Sequence, residues 1–333
     1  MGRATALFLC AGLASACLAP LGIVKYDQPR VEKGHLIGAV PFEKWLARNT
    51  CGPACLVMVL NYWDASRSFR QQRVADDIYD SENQVTYNSE LLLYPRTQGF
   101  MSFSFQGDLP TLKALVARDI PVIVLTKTIR QVDKGHYRVV IGFDEAKGKV
   151  IFHDPYFGGF CALSSRDFMK FWEFGKGLNR SRWAMVVVPD LEAFPFPSVQ
   201  SHPLTSINLA TAYYRRSEFA KSREEWLKAK GLLATDPYPV YSLAMVSLRM
   251  DDASAAESYA IEALKLDPKS AYAYDVLGLA YAKQGRIPEA VVALDQAVLL
   301  APEESFIREH RRQVRALLQP SGLENQPKKG DSQ

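Results

Sequence analysis

The stretch Asn49-Thr50-Cys51-Gly52-Pro53-Ala54-Cys55-Leu56-Val57-Met58 decides how the first half of this chain is interpreted. Residues from Cys55 onward are apolar on nearly every side, which predicts a central helix. Pro53 suits the first helical turn, where its missing N–H leaves no hydrogen bond unmade. Cys51 is therefore expected at a helix N-terminus, where free amides and the helix dipole favour a thiolate. This is a good position for a nucleophile, and its backbone N–H could also donate to an oxyanion.

A nucleophilic thiol needs a base, and the base needs an orienting group. Two predicted strands supply both, with His136 at the start of one and Asp154 at the end of the next. A polar turn near Glu145 lies midway between them, so the two side chains are expected nearly opposite each other. A register slip of one residue would put them on different faces. His153 is the rival base, but it points to the other face of its strand and is interpreted as structural.

The rest of this half predicts an α+β domain. A helix is expected at 112–117 and strands at 121–125, 136–143, 149–154 and 183–188, whereas residues 25–50 are expected to be irregular. Helices that precede a set of antiparallel strands are typical of the α+β class.

Three motifs in this order resemble the C39 peptidase family and its C39-like relatives, over about residues 38–190. The string 51–58 is similar to the family's nucleophile motif, and Phe168 and Trp172 match a Phe-x-x-x-Trp helix. Gly-His-Tyr at 135–137 and Asp-Pro-Tyr-Phe-Gly at 154–158 are similar to its His and Asp motifs. The resemblance implies a papain-like peptidase domain at 30–190 that cleaves peptide bonds. It also implies a Cys–His–Asp triad, carried here by Cys51, His136 and Asp154.

One departure from the family concerns the oxyanion. Relatives place a Gln several residues before the nucleophile, but no Gln lies between Pro41 and Cys51, and Trp45 stands six residues before Cys51. Asn49 is the nearest amide and is the predicted substitute. Loss of one oxyanion donor can lower the rate about 10²–10³-fold, so the alternative of a weak or inactive peptidase-like protein stays open.

The other candidate groups receive no catalytic role. Cys55 is interpreted as a core residue, and Cys161 as an unpaired or core thiol. No His, Cys and carboxylate cluster has metal-ligand spacing, so neither a metal nor a cofactor is predicted. The net charge of +4 is spread along the chain without a dense basic cluster, which argues against nucleic acid as a partner.

The N-terminus carries an export pattern. Arg3 precedes an uncharged stretch at 4–16, which is too short for a spanning helix of about 20 residues and is typical of a secretory signal. Leu13-Ala14-Ser15-Ala16-Cys17 resembles the lipobox of bacterial lipoproteins, which implies a signal at 1–17 and lipidation of Cys17. An ordinary cleaved signal and an uncleaved anchor are the alternatives. Because Leu18 follows rather than Asp, the resemblance implies the outer membrane, on the periplasmic side of the bacterial cell envelope.

The last third of the chain repeats itself every 34 residues, the period of tetratricopeptide repeats (TPR). One copy contains Leu277, Gly278, Tyr281, Gly285, Ala290, Leu294, Ala297 and Pro302, and the copy before it aligns without a gap. An all-α TPR-like domain is therefore predicted at 204–318, with a capping helix at 304–318. Residues 191–203, with three prolines, are predicted as a linker, and 319–333 as a disordered tail.

Three functions remain open. The first is an exported, membrane-anchored thiol peptidase that cuts a peptide or protein substrate, with repeats that dock substrate or a protein partner. The second is a non-enzymatic peptide-binding or assembly protein, and the third is an acyltransferase or transglutaminase-like enzyme. For the peptidase, loss of Cys51 or His136 is expected to abolish turnover, whereas Asp154→Ala is expected to be milder.

Overall fold

The structure is a computed structural model that describes residues 22–27, 31–127, 135–175, 177, 179–192 and 194–318. It divides the chain into two compact units, Met1–Ala212 and Tyr213–Gln333. The first unit is mixed α and β and the second is all-helical, so the predicted fold class is confirmed. The signal segment at 1–17 with Cys17, and the tail at 319–333, lie outside the described residues. Among the described residues, none of the helices combines the length and the hydrophobicity that a membrane span requires.

An antiparallel sheet of eight strands forms the centre of the first unit. Its main order is β1-β9-β8-β7-β6-β10-β5, and β2 adds to the β7 strand. A separate two-stranded sheet pairs β3 with β4. The strands are β1 Val24–Lys25, β2 Gly34–Leu36, β3 Tyr79–Asp80, β4 Val85–Thr86, β5 Met101–Gln106, β6 Val122–Lys127, β7 Gly135–Asp144, β8 Lys149–Asp154, β9 Gly158–Ser164 and β10 Trp183–Val188.

The helices of the first unit cover this sheet. In the first of them, α1, every residue from Cys51 to Leu60 is buried, as expected for a helix that is apolar all round. The helices are α1 Cys51–Trp63, α2 Gln71–Ile78, α3 Asn88–Thr97, α4 Leu109–Val116, α5 Ser165–Trp172, α6 Pro197–Gln200 and α7 Pro203–Arg215, the last of which crosses the boundary between the units.

The predicted strands and the helix at 112–117 are found within a few residues of their expected bounds. The prediction that 25–50 is irregular is wrong in part, because β2 pairs with β7 and Lys25 of β1 pairs with Cys161. Strands β1 and β2 are too short to show a periodic pattern, and they are defined by pairing with strands that are distant in the sequence.

The segment 191–203, predicted as a linker, packs onto strand β5. Phe194 is 1% exposed and stacks on Phe103 with ring centroids 5.3 Å apart. Just beyond the segment, the Thr205 hydroxyl accepts a hydrogen bond from the Ser104 N–H at 3.0 Å. These contacts explain why the first unit extends to Ala212. The prolines and the lack of apolar periodicity predicted a linker, because the pattern does not reveal that single aromatic side chains of such a segment can be buried.

The second unit contains successive antiparallel helix pairs with the predicted 34-residue spacing. Small residues lie where two helices approach closely: a Cβ atom on Gly278 would lie 2.6 Å from the Leu294 side chain and 3.0 Å from the Ala290 carbonyl oxygen. Ile307 and Val314 bury one side of the last helix, as expected for a cap. The helices are α8 Phe219–Leu232, α9 Pro237–Arg249, α10 Ala253–Leu266, α11 Ala271–Lys283, α12 Ile287–Leu300 and α13 Ser305–Ala316.

Candidate active site

Cys51 is the first residue of helix α1, as the sequence predicts, and it is 6% exposed. The first turn holds no acidic side chain, so the positive end of the helix dipole is left for the thiolate. Gly52 allows a close approach, because a Cβ there would lie 2.9 Å from the Thr86 methyl group. The start of the helix is therefore packed tightly against β4, and the nucleophile candidate has a fixed position.

His136 and Asp154 meet across strands β7 and β8, where His136 Nε2 donates to Asp154 Oδ1 at 2.8 Å. The register differs from the expected one: Val139 pairs with His153, so Asp154 comes level with Arg138 rather than with His136. Since side chains alternate along a strand, an offset of two residues keeps both groups on one face. Diagonal neighbours remain within reach of a long side chain.

The charges at these three residues are coupled. Burial by itself would raise the pKa of Cys51, but the His136 charge and hydrogen bond, with the Tyr137 N–H, outweigh it and lower the pKa. Burial opposes a charge on His136 too, yet Asp154 and Cys51 raise the pKa of His136 to about 9. At neutral pH this arrangement favours a thiolate beside an imidazolium, which is the reactive form of a thiol nucleophile.

Asp154 is fully buried and accepts hydrogen bonds on both carboxylate oxygens. Oδ1 accepts the backbone N–H groups of Tyr156 at 2.8 Å and Phe157 at 3.1 Å, besides His136. Oδ2 accepts Arg138 Nε at 2.7 Å. Although burial would raise the pKa of Asp154, His136 and Arg138 hold it well below its ordinary value. The carboxylate is therefore ionised and fixed in orientation.

Arg138 is part of the site, although the sequence predicted no role for it. Arg138 lies two residues after His136 on the same strand and is 1% exposed. The signal was present in the sequence, because a period of two places Arg138 on the face that carries His136.

His153 is held in a neutral structural role. Its Nδ1 accepts the Phe160 N–H at 3.0 Å, so Nε2 carries the proton and donates to the Val40 carbonyl at 3.0 Å. Burial lowers the pKa of His153 to about 4. Both ring nitrogens are occupied away from Cys51, in agreement with the structural interpretation.

A loop before α1 places an aromatic pair beside His136. The Trp45 ring meets His136 and Tyr156 edge-on, with centroids 6.0 Å and 5.0 Å away. The buried side chain of Gln71 fixes this loop, because its oxygen accepts the Leu46 N–H and its NH₂ donates to the Lys44 carbonyl. The sequence predicted no role for Gln71, which follows the nucleophile in the chain and whose amide oxygen and nitrogen each bond to this loop.

Asn49, the predicted oxyanion donor, adopts a positive φ of 67°. Asn tolerates this left-handed conformation better than most residues. Its backbone conformation therefore explains why an Asn precedes the helix. Its role toward an oxyanion stays a prediction.

Cys51, Cys55 and Cys161 are free thiols, and burial raises the pKa of Cys55 well above its ordinary value and that of Cys161 to about 11. Within the described part of the chain, no group of His, Cys, Asp and Glu could hold a metal ion.

The second unit carries a groove of about 890 Å³. Tyr241, Tyr272 and Phe306 stack in a row along it, with centroids 5.8 Å and 6.1 Å apart. Tyr272 and Phe306 are each 42% exposed. The groove is lined by Tyr214, Tyr241, Met245, Leu248, Arg249, Tyr272, Asp275, Val276, Leu279, Ala282, Lys283, Phe306, His310 and Leu317.

Comparison with known proteins assigns both parts of the chain. Residues 37–176 match the Peptidase_C39 like family, and residues 271–304 match the tetratricopeptide repeat. No curated protein matches the chain. The first unit thus contains a Peptidase_C39-like domain, and the second is all-helical with TPR-like repeats.

Several solved TPR domains are similar in fold to part of the chain. The Arabidopsis OM64 TPR domain is 20% identical, with a TM-score of 0.33, and the match covers 34% of this chain and 95% of that one. The first TPR domain of human RPAP3 is 18% identical, with a TM-score of 0.34 and coverage of 35% and 91%. The Sgt2 TPR domain from Aspergillus fumigatus is 17% identical, with a TM-score of 0.34 and coverage of 35% and 78%.

Proposed function

We propose that this chain is a cysteine peptidase in which Cys51 is the nucleophile, His136 the acid–base group and Asp154 the orienting group. The observation that carries the proposal is the row in which His136 donates to Asp154 Oδ1 at 2.8 Å and lowers the pKa of the buried Cys51. The match of 37–176 to the Peptidase_C39 like family supports the same reaction class.

The reaction follows from this row. The Cys51 thiolate attacks the peptide carbonyl carbon to form an S–C bond, and the carbonyl electrons move to the oxygen. His136 gives its proton to the departing amine as the C–N bond breaks, which leaves a thioester. Water then attacks the thioester, His136 takes the water proton, and the S–C bond breaks to release a carboxylic acid and the thiolate. Asp154 holds the imidazole in one orientation throughout.

An oxyanion forms both when the thioester is made and when water attacks it, and hydrogen-bond donors are needed to stabilise it. We assign one to the Cys51 backbone N–H, because the first amides of a helix have no partner within the helix. Asn49 is the candidate for a second donor. An altered set of donors in place of the family's Gln is consistent with a peptidase of modest rate.

The test is the reactivity of Cys51 toward iodoacetamide, which needs no knowledge of the substrate. We expect the full chain to be alkylated rapidly at Cys51 at pH 6, as mapped by mass spectrometry, because its thiolate is paired with an imidazolium. Cys51→Ala should lose this label, and Cys55→Ala should keep it. If Cys51 reacts no faster than an ordinary thiol, the peptidase proposal fails, and a peptide-binding protein takes its place.

We further propose that the repeat groove docks an extended segment of a partner or substrate protein that has apolar side chains and a carboxylate. The stacked row of Tyr241, Tyr272 and Phe306 offers flat apolar surface. Among the described contacts, Arg249 lies over the rings of Phe219 and Tyr214 and meets no carboxylate. The other basic side chains of the groove lining are paired, Lys283 with Asp251 and His310 with Asp275, which leaves Arg249 to attract an acidic group.

Fluorescence anisotropy with two pools of synthetic peptides tests this docking proposal. One pool combines aromatic residues with Asp and Glu, and the other replaces Asp and Glu by Asn and Gln. We expect the acidic pool to bind more tightly, and Tyr272→Ala to weaken it about tenfold or more, as for an aromatic hot spot. Arg249→Met should remove the preference for acidic peptides. Leu299→Ala, at a site 73% exposed outside the groove, is the control. Equal binding of both pools would contradict the proposal.

Finally, we propose export and a lipid anchor at Cys17, on the basis of the lipobox-like string 13–17. The anchor would hold the peptidase on the periplasmic side of the bacterial envelope, at the outer membrane. Mass spectrometry of the mature N-terminus should show acylated Cys17, and an intact Met1 or a free N-terminus would contradict this.

A further inference from the structure

A fourth charged side chain lies behind the proposed catalytic row and takes no part in the bond changes. Arg138 donates from Nε to Asp154 Oδ2 at 2.7 Å and from Nη1 to the Thr126 hydroxyl. Thr126 in turn donates to the His136 carbonyl at 2.9 Å. Arg138 therefore links the carboxylate to the backbone that carries the imidazole.

The guanidinium is enclosed on its remaining sides. It lies 5.5 Å from the centroid of the Phe152 ring and 5.8 Å from that of Phe171, and only 1% of Arg138 is exposed. The removal of an arginine side chain from water costs free energy, and a nearby group of opposite charge is needed to offset that cost. Asp154 supplies that match.

The charges of the ionised row add to zero only when Arg138 is included. The thiolate of Cys51 and the carboxylate of Asp154 are negative, and the imidazolium of His136 and the guanidinium are positive. Without Arg138, the buried row would carry one uncompensated negative charge. Because a net charge in the interior is costly, a proton on Cys51 would then become the cheaper state.

Among the residues that the structure describes, the neighbouring elements offer no substitute for this charge. Cys55 on α1, Tyr137 on β7 and Cys161 on β9 are held neutral at pH 7, since burial raises each pKa. His153 on β8 is neutral because burial lowers its pKa to about 4. Two described lysines near the row contact other groups: Lys127 lies over the Phe171 ring, and Lys25 donates to the Gly159 carbonyl.

We propose that Arg138 is a positioning residue that balances the buried negative charge and thereby sets the pH range in which Cys51 is a thiolate. This inference rests on the proposed function. It assigns to Arg138 an effect on the ionisation of the nucleophile, beyond the shape of the site.

The experiment measures the rate of Cys51 alkylation by iodoacetamide against pH in the full chain. For Arg138→Met, the midpoint at which the reactive thiolate appears should move to higher pH by about one unit or more, because loss of a nearby cation favours the protonated form. Arg138→Lys keeps the charge and should keep the midpoint within a few tenths of the wild-type value. Arg67→Met, the same type of change at an exposed site, controls for the substitution.

Arg138→Gln serves as the second neutral variant, since its amide can still bond to Asp154 and Thr126 if Arg138→Met folds poorly. An upward shift in either folded neutral variant, absent in Arg138→Lys, supports the proposal. An unmoved midpoint in a folded neutral variant overturns it, even if melting temperature or rate falls. Failure of the wild-type chain to show a reactive thiolate at low pH would instead contradict the peptidase function itself.

Discussion

Replacement of His136 by alanine is expected to reduce the alkylation of Cys51 at pH 6 by up to about 10³-fold. His136 is the source of the interactions that lower the pKa of Cys51 against the effect of burial, apart from the Tyr137 N–H. Without the imidazolium, the thiol returns to its ordinary pKa of 9.0 or above it. Three pH units below that value, only about one thiol in 10³ is ionised. Peptide hydrolysis, which also needs the proton transfers, should fall at least as far.

The matched control for this prediction is His153→Gln. Glutamine can accept the Phe160 N–H and donate to the Val40 carbonyl, as His153 does, so the strand ends should stay in place. We expect this variant to keep most of the Cys51 reactivity at pH 6. The reverse pattern, with His136 dispensable and His153 essential, would show that the base is misassigned.

Replacement of Asp154 by alanine is expected to destabilise the first unit by about 3–5 kcal/mol, the usual cost of removing one partner of a buried ion pair. Arg138 would be left charged and 1% exposed without its carboxylate. The N–H groups of Tyr156 and Phe157 would also lose their acceptor. The sequence predicted only that turnover falls less for Asp154→Ala than for Cys51→Ala or His136→Ala. The loss of stability follows from the buried Arg138 contact.

Urea unfolding followed by tryptophan fluorescence tests this prediction, since only Trp226 of the five tryptophans lies in the second unit. The control is His136→Ala, which leaves the Asp154–Arg138 pair intact and should cost far less than Asp154→Ala. Asp154→Asn should lie between them, because it keeps the size and loses the charge. Equal stability of Asp154→Ala and His136→Ala would mean that the buried pair contributes little to folding.

Local pattern in the sequence was enough to predict much of the candidate site. The apolar run after Pro53 predicted the helix that begins at Cys51, and alternation along two strands predicted a shared face for His136 and Asp154. The 34-residue repeat predicted the helical second unit. These inferences depend on periods of 2, 3.6 and 34 residues, which are properties of one stretch of chain.

Only the tertiary structure decided which charged groups are buried next to each other. The pairing of Val139 with His153 set Asp154 level with Arg138, and this register depends on a bulge between Val140 and Gly142 that no local pattern reveals. The boundary at Ala212 likewise follows from the packing of Phe194 on Phe103. The sequence thus determined the helices and strands, and the face of the sheet that carries His136 and Asp154. Long-range pairing decided the partner of each carboxylate oxygen, because register and burial arise from contacts between strands far apart in the chain.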